Sequence, residues 1–555
     1  MAVGGESCGV GVGSEDLDPA PSSVDDELGV LSLRANKPHN YISQLILEME
    51  GALIQLNATN LTASKLESMA ILIYESMSIS TRNYHSVQHV FNILDHDIRL
   101  KDNPIAILAA CFHDCIYYHL DGGLTPVQAD ILKGSFKVEG GKNENDNSNN
   151  AIMNDEEYQC IYKFFATDRR EIKTDETDLL PMVESVFGYS PSQLINITND
   201  GLNEYLSALV AVRQLQDHLP KEILVQIACC IEATIPFRHV DPDTGKTHMD
   251  RLYDTIKDTT RDYDLQISDE EIVISVQRAC LLSNSDVGNF GSDDRLLFVD
   301  NTWSLLPETN ESLRNEYVYS VEHFHVALFK MYGFLGLFLQ PEMVFHEFRG
   351  VPDEKELNQL TKECSNNLAF AKMYVGAKLL AMSVVSALAV LTGGDAPISL
   401  FTGDLRPLER RSNKVVSIPT KNQNNCQVKQ GKRSSVSDFL NITFCQTPSP
   451  PEDFLKKCNQ AVYETLEGGR RSKVSFDTKR SPWAALLYAH IGDEALGRIL
   501  KEHTLYPMTA ERAWILLRAL PSEPIHFIAN SMAQQAISRG AKILHIVSKL
   551  EESND

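Results

Sequence analysis

This chain has no Cys-x-x-Cys pair among its eleven cysteines, and several of them (Cys111, Cys229, Cys230, Cys280) lie inside apolar runs. That pattern argues against a zinc site of paired cysteines and reads as reduced core residues in a cytoplasmic setting. Basic residues are few, 51 Lys and Arg against 75 Asp and Glu for a formal charge of −24, which speaks against a general nucleic-acid-binding surface. A small phosphorylated substrate stays compatible with that charge, because a bound metal supplies positive charge locally. Long hydrophobic runs are also absent. The longest uncharged apolar stretch, Leu379 to Thr392, directly follows Lys378 and falls short of the ~20 residues that span a bilayer. A buried helix is the expectation there, and no membrane partner. Residues 1–36 are rich in Gly, Ser and acidic side chains (Glu15, Asp16, Asp18, Asp25, Asp26), without the apolar core of a secretory signal or the arginines of a transit peptide. They are expected to form an acidic, disordered N-terminal tail.

Strand signals are sparse, and helix-period patterning dominates from about Pro38 onward. Tyr84, Val87, Val90, Phe91, Leu94 and Ile98 recur at helical spacing. Asp102-Asn103 followed by Pro104 predicts a second helix with proline at its first position, running through Ile105 to Phe112. Helical segments are expected again over 222–234, 270–282, 324–345 and 354–391, and a mostly α fold follows. Residues 140–150, two glycines followed by a polar run, are expected to be an insertion or a polar, mobile loop. Between Arg406 and Arg433 eight basic residues stand against one acidic residue, and Pro448-Ser449-Pro450-Pro451 follows. Residues 405–480 are therefore expected to be a flexible linker, after a folded region over 37–345 and a helical extension over 346–404. A C-terminal helical unit spans 481–555. It has no catalytic set, and it is expected to buttress the core, to join copies in a homo-oligomer or to bind a protein partner.

The chemistry concentrates in Tyr84-His85-Ser86-Val87-Gln88-His89 and, further on, Phe112-His113-Asp114. Two histidines at i, i+4 share one helix face. A His-Asp doublet from a second segment adds one nitrogen and one hard oxygen, a mixture that suits a hydrolytic divalent cation. A remote carboxylate completes such a set. Asp286, at the end of an apolar helix carrying Ile272, Val273, Val276, Ala279 and Cys280, is the expected one. Mn, Fe, Zn and Mg all remain open as the metal. A second constellation is Glu232 and Arg238 around Pro236, which should end the preceding helix. Glu232 could orient water and Arg238 clamp a phosphate there, or the two could simply finish a helix with a solvated arginine.

The order Tyr-His-x-x-x-His, Phe-His-Asp and a remote Asp resembles the HD-domain superfamily of metal-dependent phosphohydrolases, whose fold is an all-helical bundle. The stretch Arg82 to Val90 is similar to two of its branches, the small bacterial HD phosphohydrolases and the class I cyclic-nucleotide phosphodiesterases. The resemblance covers residues 40–345 and is strongest over 82–118. It implies that His89, His113, Asp114 and Asp286 bind metal. It also implies that His85 protonates the leaving oxygen, although a supporting or core role for His85 alone stays open. Asp114 would ligate metal and also take a proton from the nucleophile. Cyclic phosphodiesterases have a further histidine three residues after the doublet, which organises a second metal. Tyr117 stands there, with His119 two residues on, so a binuclear centre is in question; the small bacterial branch also has tyrosine at that place. Gln340 and Phe345 lie at roughly the distance of the pair that holds the purine in phosphodiesterases, with different spacing. The expected activity is hydrolysis of a small, nucleotide-like phosphoester by metal-bound hydroxide. The rival is a non-catalytic HD-fold scaffold that binds partners through its C-terminal helices. Arg410-Arg411-Ser412, Lys432-Arg433-Ser434-Ser435 and Arg470-Arg471-Ser472 look like targets of basophilic kinases or, equally, like a solvated linker.

Overall fold

The computed structural model describes residues 38–133, 137–139, 163–165, 179–189, 201–315, 319–402, 448–472, 474–503, 505–536 and 538–552. The expected tail 1–36, the loop 140–150 and the motifs at Arg410 and Lys432 lie outside them. The protein is mostly α. Its described strands are the short antiparallel pair β1 (Lys137–Glu139) and β2 (Lys163–Phe165). The longer helices before the midpoint are α1 (Pro38–Gln55), α2 (Ala63–Met77), α3 (Val87–His96), α4 (Pro104–Phe112), α5 (Leu202–Leu215), α6 (Lys221–Ala233), α7 (His248–Asp262) and α8 (Asp269–Asp286). They enclose one apolar core that includes Leu45, Met69, Val90, Leu108, Leu209, Ile227 and Val276.

α4 is the central rod of this core. Every residue from Ile105 to Phe112 is buried, as expected of a helix apolar on all sides. Its start is fixed locally: the Asn103 side chain accepts from the amides of Ile105 and Ala106, and Pro104 occupies the first turn, where a missing N–H costs nothing. Ser268 and Glu271 form a reciprocal capping box that starts α8. The two helices that deliver the doublet and Asp286 therefore begin at positions dictated by short-range chemistry.

A second core follows, built on α9 (Arg295–Thr309), α10 (Val321–Gly333), α11 (Glu354–Thr392), α12 (Pro482–Glu502), α13 (Ala510–Ala519), α14 (Ser522–Gln535) and α15 (Gly540–Glu552). Trp303, Tyr374 and Tyr488 are its largest wholly buried side chains. α11 is long and apolar enough to cross a membrane by length and composition, yet 89% of its apolar window is buried inside the protein. Protein, rather than lipid, covers that face.

Several boundaries differ from expectation. The apolar faces of α9 and α10 turn toward α11, so the second core begins near Val287–Phe290, while Phe348 and Val351 return to the first. The helix expected over 324–345 breaks after Gly333 into a π turn (Phe334–Phe338) and a short helix (Pro341–Val344), as Pro341 demands a new start. Residues 405–447 lie outside the described part, but the end of the expected linker is helical over Phe454–Lys457 and Gln460–Gly468. Buried Val462 and Leu466 anchor the latter to the second core.

Candidate metal centre

The loop before α3, the end of α4 and the end of α8 converge. His89 Nε2 lies 2.8 Å from Asp286 Oδ1, and His113 Nε2 lies 3.5 Å from the same oxygen. His113 Nε2 is also 3.2 Å from Asp114 Oδ2. Single donor atoms of His89, His113 and Asp286 all fall within 4.8 Å of one another. Asp114 stands at the margin of that trio, beside His113. His89 sits in the first turn of α3, His113 caps the C-terminus of α4, and Asp286 is the last residue of α8.

The hydrogen bonds at His113 determine what the pocket can hold. Its Nδ1–H donates to the carbonyl of Ala110 at 2.8 Å. The neutral imidazole then points a lone pair, not a proton, from Nε2 at two carboxylate oxygens. His113 Nε2 and Asp114 Oδ2 are both buried without a hydrogen-bond partner. Buried acceptors facing one another are costly unless a cation lies among them. Nitrogen and carboxylate donors in this mixture suit Zn²⁺, Fe²⁺ or Mn²⁺. The residues therefore fit a divalent metal.

In the protein without that cation, protons carry the compensation. Burial pushes the Asp286 carboxyl up, but His113 and His89 overcome this and hold it at about 2. Asp114, also penalised by burial, is drawn far below the usual carboxylate range by His113, with His85 and His89 adding to the pull. His113 is raised well above an ordinary imidazole, against its burial, by Asp114 and Asp286.

His85 lies in the loop before α3, which starts only at Val87. It therefore does not share a helix face with His89, as the i, i+4 spacing suggested. Its ring nevertheless sits 5.8 Å from that of His89, centroid to centroid, with Tyr117 edge-on at 4.9 Å. Glu308, from α9 of the second core, fixes it. One carboxylate oxygen accepts from the backbone N–H groups of Asn83 and Tyr84 (2.5 and 2.6 Å), and the other accepts from His85 Nδ1 at 2.6 Å. Burial lowers the His85 pKa, but this bond and the nearby carboxylates raise it above the ordinary value. Arg82, wholly buried, grips both oxygens of Asp121 and donates to the carbonyl of Asp114 at 2.6 Å. The loop is thus tied to the doublet on one side and to the second core on the other.

Two carboxylates here were not anticipated. Glu308 had no local signal, since its partner lies 223 residues away. Glu204, in the first turn of α5, sits in the field of Asp114 and Asp286, and burial together with those charges raises its carboxyl to about 7. The apolar run behind it, Leu206 to Val212, is the signal that could have marked that stretch as helical.

Other expectations come apart. Arg238 donates to both carboxylate oxygens of Glu232 (2.5 and 3.3 Å) and to its backbone carbonyl. The two side chains engage each other at the end of α6, Arg238 Nε stays buried without a hydrogen-bond partner, and no hydrogen bond among the described residues joins the pair to the histidine cluster. The water-orienting role expected of Glu232 and the phosphate clamp expected of Arg238 therefore start from side chains already bonded to each other. Gln340 is exposed, while Phe345 is buried with its ring against Gly291 in the second core. Burial leaves almost none of the Phe345 ring exposed to a purine. His119 is exposed, away from a ligand's usual burial.

Comparison of this chain with protein-family models, with curated proteins and with solved structures gave no match.

Proposed function

We propose that the protein is an HD-type, metal-dependent phosphohydrolase acting on a small, nucleotide-like phosphoester. The observation that carries this reading is the bare Nε2 of His113 facing Asp114 and Asp286, with His89 closing the group. His89, His113 and Asp286 would hold the cation, with Asp114 as the fourth donor. A divalent cation supplies an acidified water and neutralises charge on phosphoryl oxygens.

The chain's own groups account for the rest. His85 Nδ1 is committed to Glu308, which leaves Nε2 to present a proton toward the departing oxygen. Its raised pKa keeps that proton in place near neutral pH. Asp114, beside His113, or Glu204, within the field of that cluster, would take a proton from attacking water; Glu204, at about 7, changes state in the useful range. Burial of Tyr84 and Tyr117 keeps both phenols protonated, so they can donate hydrogen bonds to an anionic substrate. The free, buried state of the described cysteines supports a reducing, cytoplasmic setting.

The test is metal analysis joined to a substrate panel of cyclic nucleotides, nucleoside mono- and triphosphates and a generic phosphodiester. Turnover abolished by chelator and restored by Mn²⁺ is the expected result. Bound metal with no turnover of any panel member would instead favour the scaffold reading, and full turnover by the His113→Ala, Asp114→Ala double variant would overturn the assignment.

A further inference from the structure

α9 carries Glu308 at one end, and a strap of chain that follows the helix Gln460–Gly468 holds the other end. Asp294, the N-cap of α9, accepts from both terminal nitrogens of Arg471. One turn and a half on, Asp300 Oδ1 accepts from the backbone N–H of Ser472 at 3.0 Å and from its hydroxyl at 2.6 Å. Trp303 then lies beneath the Arg470 guanidinium, 4.5 Å from the ring centroid, and donates its indole N–H to Asp477 Oδ2 at 2.9 Å. Asp477 is held in turn by Lys378 and Arg470. Asp294, Asp300 and Trp303 are therefore engaged in sequence by residues 470–477. From Asp300 to Glu308 is only about 12 Å of helix.

We propose that Ser472 is a phosphorylation site, and that its modification releases this strap from α9. The acceptor stands within Arg470-Arg471-Ser472, half-buried at the surface beside the exposed Arg471. In the reaction Ser472 Oγ gives up its proton and forms a bond to the γ-phosphorus of a nucleoside triphosphate. The bond from phosphorus to the departing nucleoside diphosphate breaks, and the proton passes to solvent. The product has no hydroxyl hydrogen left for Asp300. It places a nearly doubly charged anion against Asp300, which is 8% exposed, and close to Asp294. Arg471 gains a stronger partner in the phosphate than in Asp294. Both polar fastenings of the N-terminal half of α9 are lost together.

Access follows the same logic. Arg470 is buried in the closed strap, so a kinase reading both arginines acts on chains whose strap is off, and the phosphate keeps them off. Glu308 then holds His85 from a helix whose N-terminal half keeps its apolar packing but has lost its polar fastenings. This inference concerns α9 and does not require the phosphohydrolase reading.

The experiment uses the full chain with Mg·ATP and the catalytic subunit of cyclic-AMP-dependent protein kinase, followed by peptide mapping and hydrogen exchange. A synthetic peptide of residues 466–478 and a panel of other basophilic kinases run in parallel. Phosphate on Ser472, absent in Ser472→Ala, with amide exchange in α9 accelerated about tenfold or more, is expected. Ser472→Glu should reproduce part of that acceleration, and Ser472→Ala, which adds no charge, much less. A panel that leaves Ser472 unmodified in both chain and peptide overturns the site, as does modification of the peptide but never of the chain. Phosphate on Ser472 with unchanged exchange in α9 overturns the release. None of these readouts depends on turnover.

Discussion

Glu308 accepts a hydrogen bond from Nδ1 of His85 at 2.6 Å, across 223 residues of chain and from the opposite core. Its other oxygen takes the backbone amides of Asn83 and Tyr84. One side chain therefore sets both the course of the loop and the tautomer of the ring. Glu308→Gln keeps an oxygen for the amides but turns an NH₂ group toward the Nδ1 proton. We expect kcat to fall about 10²-fold with KM and metal content nearly unchanged, because a ring whose Nδ1 faces an amide NH₂ loses the charged, acidic form that the Glu308 carboxylate stabilises. Steady-state kinetics beside metal analysis checks this; an equal loss of bound metal would assign Glu308 a different role.

Removal of the proposed ligands has an opposite signature. His113→Ala and Asp114→Ala should lose metal as well as turnover, whereas His85→Ala should keep metal and lose rate. In the unmodified chain, Mn²⁺ at 100 times its dissociation constant should stabilise the fold by about 2.7 kcal/mol through mass action. Calorimetry with and without metal reads it, and His113→Ala should show little of the shift.

Glu204 gives a test in which stability and metal affinity move apart. Its carboxyl is raised to about 7 in the metal-free protein, so between about 4.3 and 7 the folded state binds more protons than the unfolded one. Stability of the metal-free protein therefore declines as pH rises through that window. Glu204→Gln abolishes this decline, adding up to about 3 kcal/mol above pH 7. The same change removes negative field from the site and should weaken metal binding. Denaturant titrations at pH 5 and 8, with metal titrations alongside, decide it; a variant less stable at pH 8 than the parent would contradict the account.

The second core supplies the acid limit. His325 is buried with Nε2 bonded to Ser383 Oγ at 2.9 Å, and burial pushes its pKa down to about 4. The unfolded imidazole titrates near 6.5. Below that value the unfolded state takes up a proton that the folded state refuses, so stability is full above about pH 6.5 and drains as pH falls toward 4. The total from this group is about 3 kcal/mol. His325→Gln, which can keep the Ser383 bond, should flatten that part of the stability profile relative to the parent.

The helices were legible where a local rule specified them. Asn103-Pro104 announces the start of α4 within the residues that cap it, and the apolar run behind it could only be interior. The doublet and His89 were legible because chemistry-bearing side chains are rare and stood at telling intervals. Asp286 could be chosen because it ends an apolar helix. Pairing was not legible. Glu232 and Arg238 looked equally ready to serve a phosphate or to finish a helix, and only the structure shows that they bond each other.

Local capping, helix periodicity and the succession of histidines and aspartates are properties of neighbours along the chain, and the amino-acid order alone determined a mostly α protein with a candidate cation site. Which carboxylate faces which imidazole depends on how whole helices pack, because an ion pair forms from two positions whose separation no local pattern encodes. Tertiary structure alone brought Glu308 to His85, set Glu204 beside the doublet, and laid Ser472 against Asp300. The first of these contacts joins the two apolar cores and the other two form within one core each, and in every case burying apolar helix faces fixes the polar groups those helices carry.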